Sequence, residues 1–188
     1  MPRAANSLTE PTIIVNIVRP LRSADPAHFR RVMGRFASGV TVITASVDGD
    51  TRGMTANAFM SGSLDPPLCV VSVARRAHMH GHLQAAGAFA VNILAAGQDE
   101  FATHFAGRPV EGLRVGFREM NGVPAIVGTS ALITATVAAR HDCGDHSLFI
   151  GAIVSMAADD QPPLLYHASR FAALVLLREA SPALPEFW

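Results

Sequence analysis

The chain has 188 residues, 49% of them hydrophobic and only 16% charged, with fifteen basic and fifteen acidic residues and a formal net charge of zero. That length predicts one domain with a full buried core, and the neutral balance excludes the basic field that nucleic-acid binding needs. Every basic residue is Arg; without Lys there is neither a Walker loop nor Schiff-base chemistry.

Residues 1–24 read as an N-terminal arm. Its apolar run, Thr12 to Val18, is too short to span a membrane and is interrupted by Asn16; it predicts one β-segment. The main domain is read as 25–178. Asp25-Pro26 opens a helix, Asp as N-cap and Pro in the first turn. Phe29, Val32, Met33 and Phe36 form an apolar stripe at helical spacing, predicted to pack on a sheet, with Gly39 as the C-terminal cap.

Gly39 to Val47 is rich in β-branched residues and predicts a strand, followed by the hairpin signal Asp48-Gly49-Asp50. The return segment, Arg52 to Pro67, begins with strand alternation and ends in a turn at Gly62, Asp65, Pro66 and Pro67. Small residues dominate it, which is how a chain lets something approach its backbone closely. Leu68 to Val73 predicts a third strand; Arg75 to Ala86 a loop and short helix closed by Gly87; Phe89 to Leu94 a fourth strand; Gln98 to Ala106 a second short helix. The Gly- and Pro-rich stretch 107–128 reads as irregular with a short edge segment at most. Ala131 to Arg140 and His146 to Met156 predict a second hairpin around His141 to Asp145. Pro162 to His167 and Phe171 to Leu177 close the domain, and 179–188 is a tail. Strands and helices do not alternate regularly, so the pattern predicts a mainly β protein, an antiparallel barrel with a few short peripheral helices, and not a doubly wound parallel sheet.

Common catalytic signatures are missing: there is no Gly-x-Gly-x-x-Gly after a strand and no Gly-x-Ser-x-Gly. Cys69 and Cys143 form no Cys-x-x-Cys pair, which points to a reducing cytoplasm. Cys69, in an apolar run, reads as a buried small hydrophobe. His78-Met79-His80-Gly81-His82 would share a face on a strand, whereas on a helix only His78 and His82 would; with no carboxylate nearby, the run reads as a loop entering a helix and no metal is assigned. Arg75 and Arg76, between a strand and a helix, fit either a phosphate fork or two surface arginines. His146, after a turn, fits a proton donor, a cofactor contact or a cap, and His167 beside Tyr166 is equally open.

Several segments line up in order. Phe29 to Thr44, Gly53-Met54-Thr55-Ala56-Asn57-Ala58-Phe59, Ser63-Leu64-Asp65-Pro66-Pro67-Leu68, Phe89 to Leu94, Gly144-Asp145-His146-Ser147-Leu148-Phe149-Ile150-Gly151, and Leu164-Leu165-Tyr166-His167 with Phe171 together resemble the flavin reductase-like family over roughly residues 27 to 176. These are reductase components of two-component flavin-dependent monooxygenases. The resemblance implies a six-stranded split β-barrel binding FMN or FAD, usually a homodimer, with NADH or NADPH as hydride donor and a separate monooxygenase receiving reduced flavin. By position, Met54, Thr55, Ala56 and Asn57 would line the isoalloxazine, Ser63 and Leu64 would continue that wall, Arg75 and Arg76 would lie near the phosphate, and His146 would face the nicotinamide side. The hydride transfer belongs to the cofactors, so a protein that aligns two rings needs no catalytic triad. The chain departs from the family's habits at Ala58, Ala152, Ser169 and Phe171, where Ser, an acidic residue, Gly and Tyr are common. Two rival readings remain: a tightly bound FMN electron carrier or redox sensor without free-flavin turnover, and a non-enzymatic barrel holding heme or another small ligand.

Overall fold

The computed structural model describes residues 24–175, so the β-segment expected at Thr12 to Val18 and the tail at 179–188 lie outside the described residues. In chain order the elements are α1 (Pro26–Met33), β1 (Ser38–Gly39), β2 (Thr41–Val47), β3 (Asp50–Ala56), β4 (Phe59–Ser63), β5 (Leu68–Ala74), α2 (His78–Ala86), β6 (Ala88–Ile93), α3 (Asp99–Phe105), β7 (Phe117–Met120), β8 (Val123–Ile126), β9 (Ala131–Cys143), β10 (His146–Ala158), β11 (Leu164–His167) and β12 (Arg170–Ala173).

Seven strands form one antiparallel sheet in the order β3-β2-β6-β9-β10-β5-β4. Its two edge strands are consecutive in the chain, with only Asn57 and Ala58 between them. In a flat sheet those edges would stand about 29 Å apart, whereas the three steps from Ala56 to Phe59 reach only about 10 Å. The sheet must therefore curl until its edges meet; on one side of the seam the Ser72 N–H donates to the Ala58 carbonyl at 3.0 Å, extending the β4–β5 ladder to the closing dipeptide. The single return strand expected over Arg52 to Pro67 is thus two strands on opposite edges, and the small residues at Asn57-Ala58 sit where the barrel closes.

Inside the barrel, Ile43, Val71, Val73, Phe89, Val91 and Phe149 are fully buried, and α2 adds Met79 and Leu83. Gly151 has no room for a side chain: a Cβ there would stand 2.7 Å from Phe89 Cζ and 2.9 Å from Ala135 Cβ. Burial pushes the neighbouring Cys69 thiol up to about 11, so it stays a neutral hydrophobe.

Outside the barrel, β2 and β6 are covered again, which is why they read as nearly continuous apolar runs. Residues 107–128 supply part of that cover. They form the hairpin β7–β8 with Val123, Ala125 and Ile126 buried, where the Gly and Pro content pointed to irregular structure. Fully buried Asn92 holds the hairpin down. Its amide nitrogen donates to the Val42 carbonyl at 2.8 Å and to Thr44 Oγ1 at 2.9 Å, and its oxygen accepts from the Ile126 N–H at 2.7 Å.

Helix α1 corrects another expectation. Asp25 caps it as predicted, accepting from the His28 N–H at 2.9 Å, but the helix ends at Gly34 and Gly39 belongs to β1. Its apolar stripe does not pack on a sheet: Phe29, Val32, Met33 and Phe36 are 55%, 53%, 57% and 80% exposed.

Candidate functional site

The barrel seam opens onto a cavity of about 610 Å³. One wall is the end of β3, Thr55 to Asn57. The second is α3 and the turn after it, presenting Ala102, Thr103 and Ala106. Thr55 Oγ1 donates to the Ala102 carbonyl at 2.7 Å, docking α3 on the strand. Gly53 allows the same approach, since a Cβ there would fall 2.6 Å from the Phe105 ring. The third wall is the β11–β12 hairpin, with Tyr166 and Phe171 edge-to-face at 5.7 Å between centroids. Two guanidinium groups, Arg108 and Arg170, complete the lining. Among the described residues the ion pairs are Arg52 with Asp50 and His146 with Asp145, so no described carboxylate neutralises either arginine.

A second cavity of about 300 Å³ shares Asn57 with the first and is lined by Ser38, Thr41, Phe59 and Ile93 among others. Ser38 Oγ is buried there without a hydrogen-bond partner among the described residues. A buried hydroxyl left unpaired is costly unless something supplies its bond.

These walls fit a flavin. Alanines and aromatic faces suit a flat apolar ring. An edge strand leaves backbone groups unpaired on the side away from its neighbour, and those can meet the ring's polar rim. The two arginines and the orphaned Ser38 hydroxyl offer donors to phosphate and to polar ligand atoms.

Of the residues singled out from the sequence, Thr55, Ala56 and Asn57 border the larger cavity, and Asn57 borders both. Met54, one residue earlier on β3, is half-buried against the barrel core. Ser63 ends β4 and Leu64 starts the following turn, 79% exposed; neither lines either cavity. Arg75, Arg76 and His146 gather at one end of β5: Ala74 pairs with His146, and the Arg75 N–H donates to the Asp145 carbonyl at 3.0 Å. None of the three borders the cavity. His146 Nδ1 lies 2.8 Å from Asp145 Oδ1, and this hydrogen bond and charge hold the exposed Asp145 carboxyl below its ordinary value, with Arg76 contributing last. An imidazole donating from Nδ1 to Asp145 leaves Nε2 as its second nitrogen, free of that bond.

The histidine run lies on α2 after a turn. His80 Nε2 meets Ser147 Oγ at 3.0 Å and its ring packs edge-on to Phe149, so the three imidazoles do not share a face. Sequence reasoning missed Arg108, Arg170 and Ser38. Arg108 falls between Gly107 and Pro109 in a stretch without periodicity. Arg170 acquires its place only because Ala168 and Ser169 turn the chain with φ of 47° and 64°.

Comparison with known proteins gives this architecture its relatives. The family model described as "Flavin reductase like domain" matches residues 33–174. An NADH-dependent flavin reductase from Rhodococcus sp is 42% identical over 160 residues, covering 84% of this chain and 91% of the relative. The reductase component of 4-hydroxyphenylacetate 3-monooxygenase from Thermus thermophilus is 38% identical, covering 78% of this chain and 95% of the relative. Among solved structures, the flavin reductase PheA2 superposes with a TM-score of 0.79 at 40% identity, covering 81% of this chain and 100% of PheA2. The Streptomyces globisporus NADH:FAD oxidoreductase SgcE6, in complex with NAD and FAD fragments, superposes with a TM-score of 0.77 at 35% identity, covering 82% of this chain and 96% of that structure. On the length of the match and the level of identity, this chain belongs to the flavin reductase-like domain family.

Proposed function

We propose that this protein is an NAD(P)H:flavin oxidoreductase that reduces FMN or FAD and hands the reduced flavin to a separate monooxygenase in the cytoplasm. The observation that carries this reading is the cavity at the barrel seam. It joins the strand Thr55-Ala56-Asn57, the paired rings of Tyr166 and Phe171, and two arginines without described carboxylate partners. When bound, a flavin supplies the two-electron chemistry. The chain's own part is to hold and orient. Small side chains let a ring lie against β3, backbone N–H groups and the Asn57 amide face its polar edge, and Arg108 and Arg170 anchor the phosphate end. Amide donors fixed beforehand stabilise negative charge as it develops at that edge. His146 is assigned to the nicotinamide side on its sequence motif, with Asp145 fixing its tautomer. Arg75 and Arg76 are kept as further phosphate contacts on the same ground.

The exposed stripe of α1 supports a homodimer. Three large apolar side chains on one helix face, with Phe36 just beyond the helix, are ordinarily covered, and a second copy of the chain is the partner this family reading supplies.

The test is a steady-state assay with NADH or NADPH against free FMN or FAD, followed at the nicotinamide absorbance. Catalytic turnover of free flavin is the expected result. A protein that purifies with flavin bound and turns over none would favour the electron carrier instead, and one whose unfolding FMN does not shift would favour another ligand. Asn57→Asp should raise the flavin dissociation constant and lower the bound flavin's reduction potential. His146→Ala should reduce NAD(P)H turnover more than flavin affinity; equal losses would remove it from the nicotinamide side.

A further inference from the structure

Helix α1 buries neither of its sides. Its apolar stripe faces solvent, and Arg30, Arg31 and Arg35, though also exposed, border a groove between the helix and the rest of the protein. With Ala27, those arginines line a third cavity of about 270 Å³, closed by Ala168 and Ser169 of the β11–β12 turn. The turn is fixed to the helix end, since the Ala168 N–H donates to the Gly34 carbonyl at 2.8 Å. Ser169 also lines the main cavity, so this one residue forms the partition between the three arginines of α1 and the pair Arg108 and Arg170.

Cations in the last turn of a helix are favoured by its dipole, and Arg30 and Arg31 satisfy that rule. The dipole does not explain why they border one groove, nor why Arg35, beyond the helix, joins them. Arg31 gives one donor to His28 Nδ1 at 2.7 Å. No described carboxylate lies within ion-pair reach of any of the three. Guanidinium groups gathered around a concave space without such a counter-charge are the chemistry of phosphoryl recognition.

We propose, building on the flavin reductase reading, that the α1 arginine pocket binds a second phosphoryl group of a nucleotide seated in the main cavity. Arg108 and Arg170 serve the phosphate that every candidate cofactor carries. The α1 pocket serves the additional one, which is either the adenylate phosphate that distinguishes FAD from FMN or the ribose phosphate that distinguishes NADPH from NADH. It is thus the specificity-determining element of the site, and it works through a helix outside the barrel.

The test uses the full chain and binding alone. Dissociation constants for FMN and FAD are measured by flavin fluorescence, and those for NAD⁺ and NADP⁺ by titration calorimetry, in the wild type and in Arg30→Gln/Arg31→Gln/Arg35→Gln. If the pocket holds the FAD phosphate, FAD binding weakens about tenfold while FMN moves less than about twofold. If it holds the ribose phosphate, NADP⁺ weakens by that factor and NAD⁺ does not. Equal changes in all four ligands, or none, overturn the subsite while leaving the flavin reading intact. A wild-type protein that binds neither flavin overturns both. The triple Lys variant keeps charge and helix propensity but lacks the planar fork. It should lose about threefold for the same ligand alone, and it carries the test if the Gln variant does not fold.

Discussion

The barrel wall and the rim around α1 are built on opposite terms. In the wall, polar groups are paired and volume is filled: Asn92 makes three hydrogen bonds at zero exposure, and Gly151 leaves no space for a methyl group. At the rim, apolar side chains face water, arginines line a cavity without described counter-charges, and Ala168 and Ser169 adopt left-handed backbone that disfavours side chains. A wall that satisfies its own groups serves folding. A rim that leaves them unsatisfied is open to binding, which the proposed nucleotide on one side of α1 and the proposed second subunit on the other would supply.

The contrast breaks most sharply at Asn92. Asn92→Leu keeps the volume but strands the Ile126 N–H in a dry interior and removes the donor to Thr44 Oγ1, so it should destabilise by about 3 kcal/mol in urea unfolding. A change under about 1 kcal/mol would mean the wall does not depend on that network. The rim counterpart is Val32→Asp, which places a charge in the exposed stripe. It should leave the monomer's fold intact by circular dichroism and weaken self-association about a hundredfold, seen as a later, concentration-independent elution. A dimer that survives would put the subunit contact elsewhere.

How legible each region was in the sequence follows the same division. Strands with both faces covered, β2 and β6, announce themselves as apolar runs; β5, β9 and β10, buried on alternate residues, also fell close to their expected places. The turn Asp48-Gly49 was readable because its φ values of 54° and 84° need the residues found there. Hairpin β7–β8 was not readable, because its order comes from Asn92, many residues away, and not from local propensity. The split of Arg52–Pro67 into two edges was hidden for a similar reason: closure is a property of the whole sheet. Periodicity located the stripe of α1 correctly but could not say that it would stay exposed. Thr55, Ala56 and Asn57 came from a motif, while Arg108 and Arg170 enter the cavity only through tertiary placement.

Two smaller tests sharpen the description of the wall. Gly151→Ala forces Phe89, Ala135 or Cys69 aside and should destabilise by about 2–3 kcal/mol. Unchanged stability would mean the barrel breathes at that point. Cys69 gives a pH dependence whose sign is fixed by burial. Its thiol titrates at 9.0 when exposed and at about 11 in the fold, so the unfolded chain loses its proton first. Its contribution is therefore fully present below pH 9 and is lost as pH rises through 11, a fall of at most about 3 kcal/mol. In a Cys143→Ser background, Cys69→Ala should flatten that part of the stability curve; an identical slope would show that Cys69 is not the group responsible.

The smallest effect tests whether the rim is strained for a purpose. Ser169 holds φ at 64° in the partition between two cavities. Left-handed backbone costs a residue with a side chain about 1–2 kcal/mol, and Gly gives back roughly half of that gain through its freer unfolded chain. Ser169→Gly should therefore stabilise the protein by about 0.5–1 kcal/mol in thermal unfolding. If the serine is retained for its hydroxyl, the same variant should bind the dinucleotide that uses the α1 pocket more weakly, and stability and affinity move in opposite directions. A gain in stability with no change in any nucleotide's affinity would make Ser169 a passive turn residue and leave recognition to the arginines on either side of it.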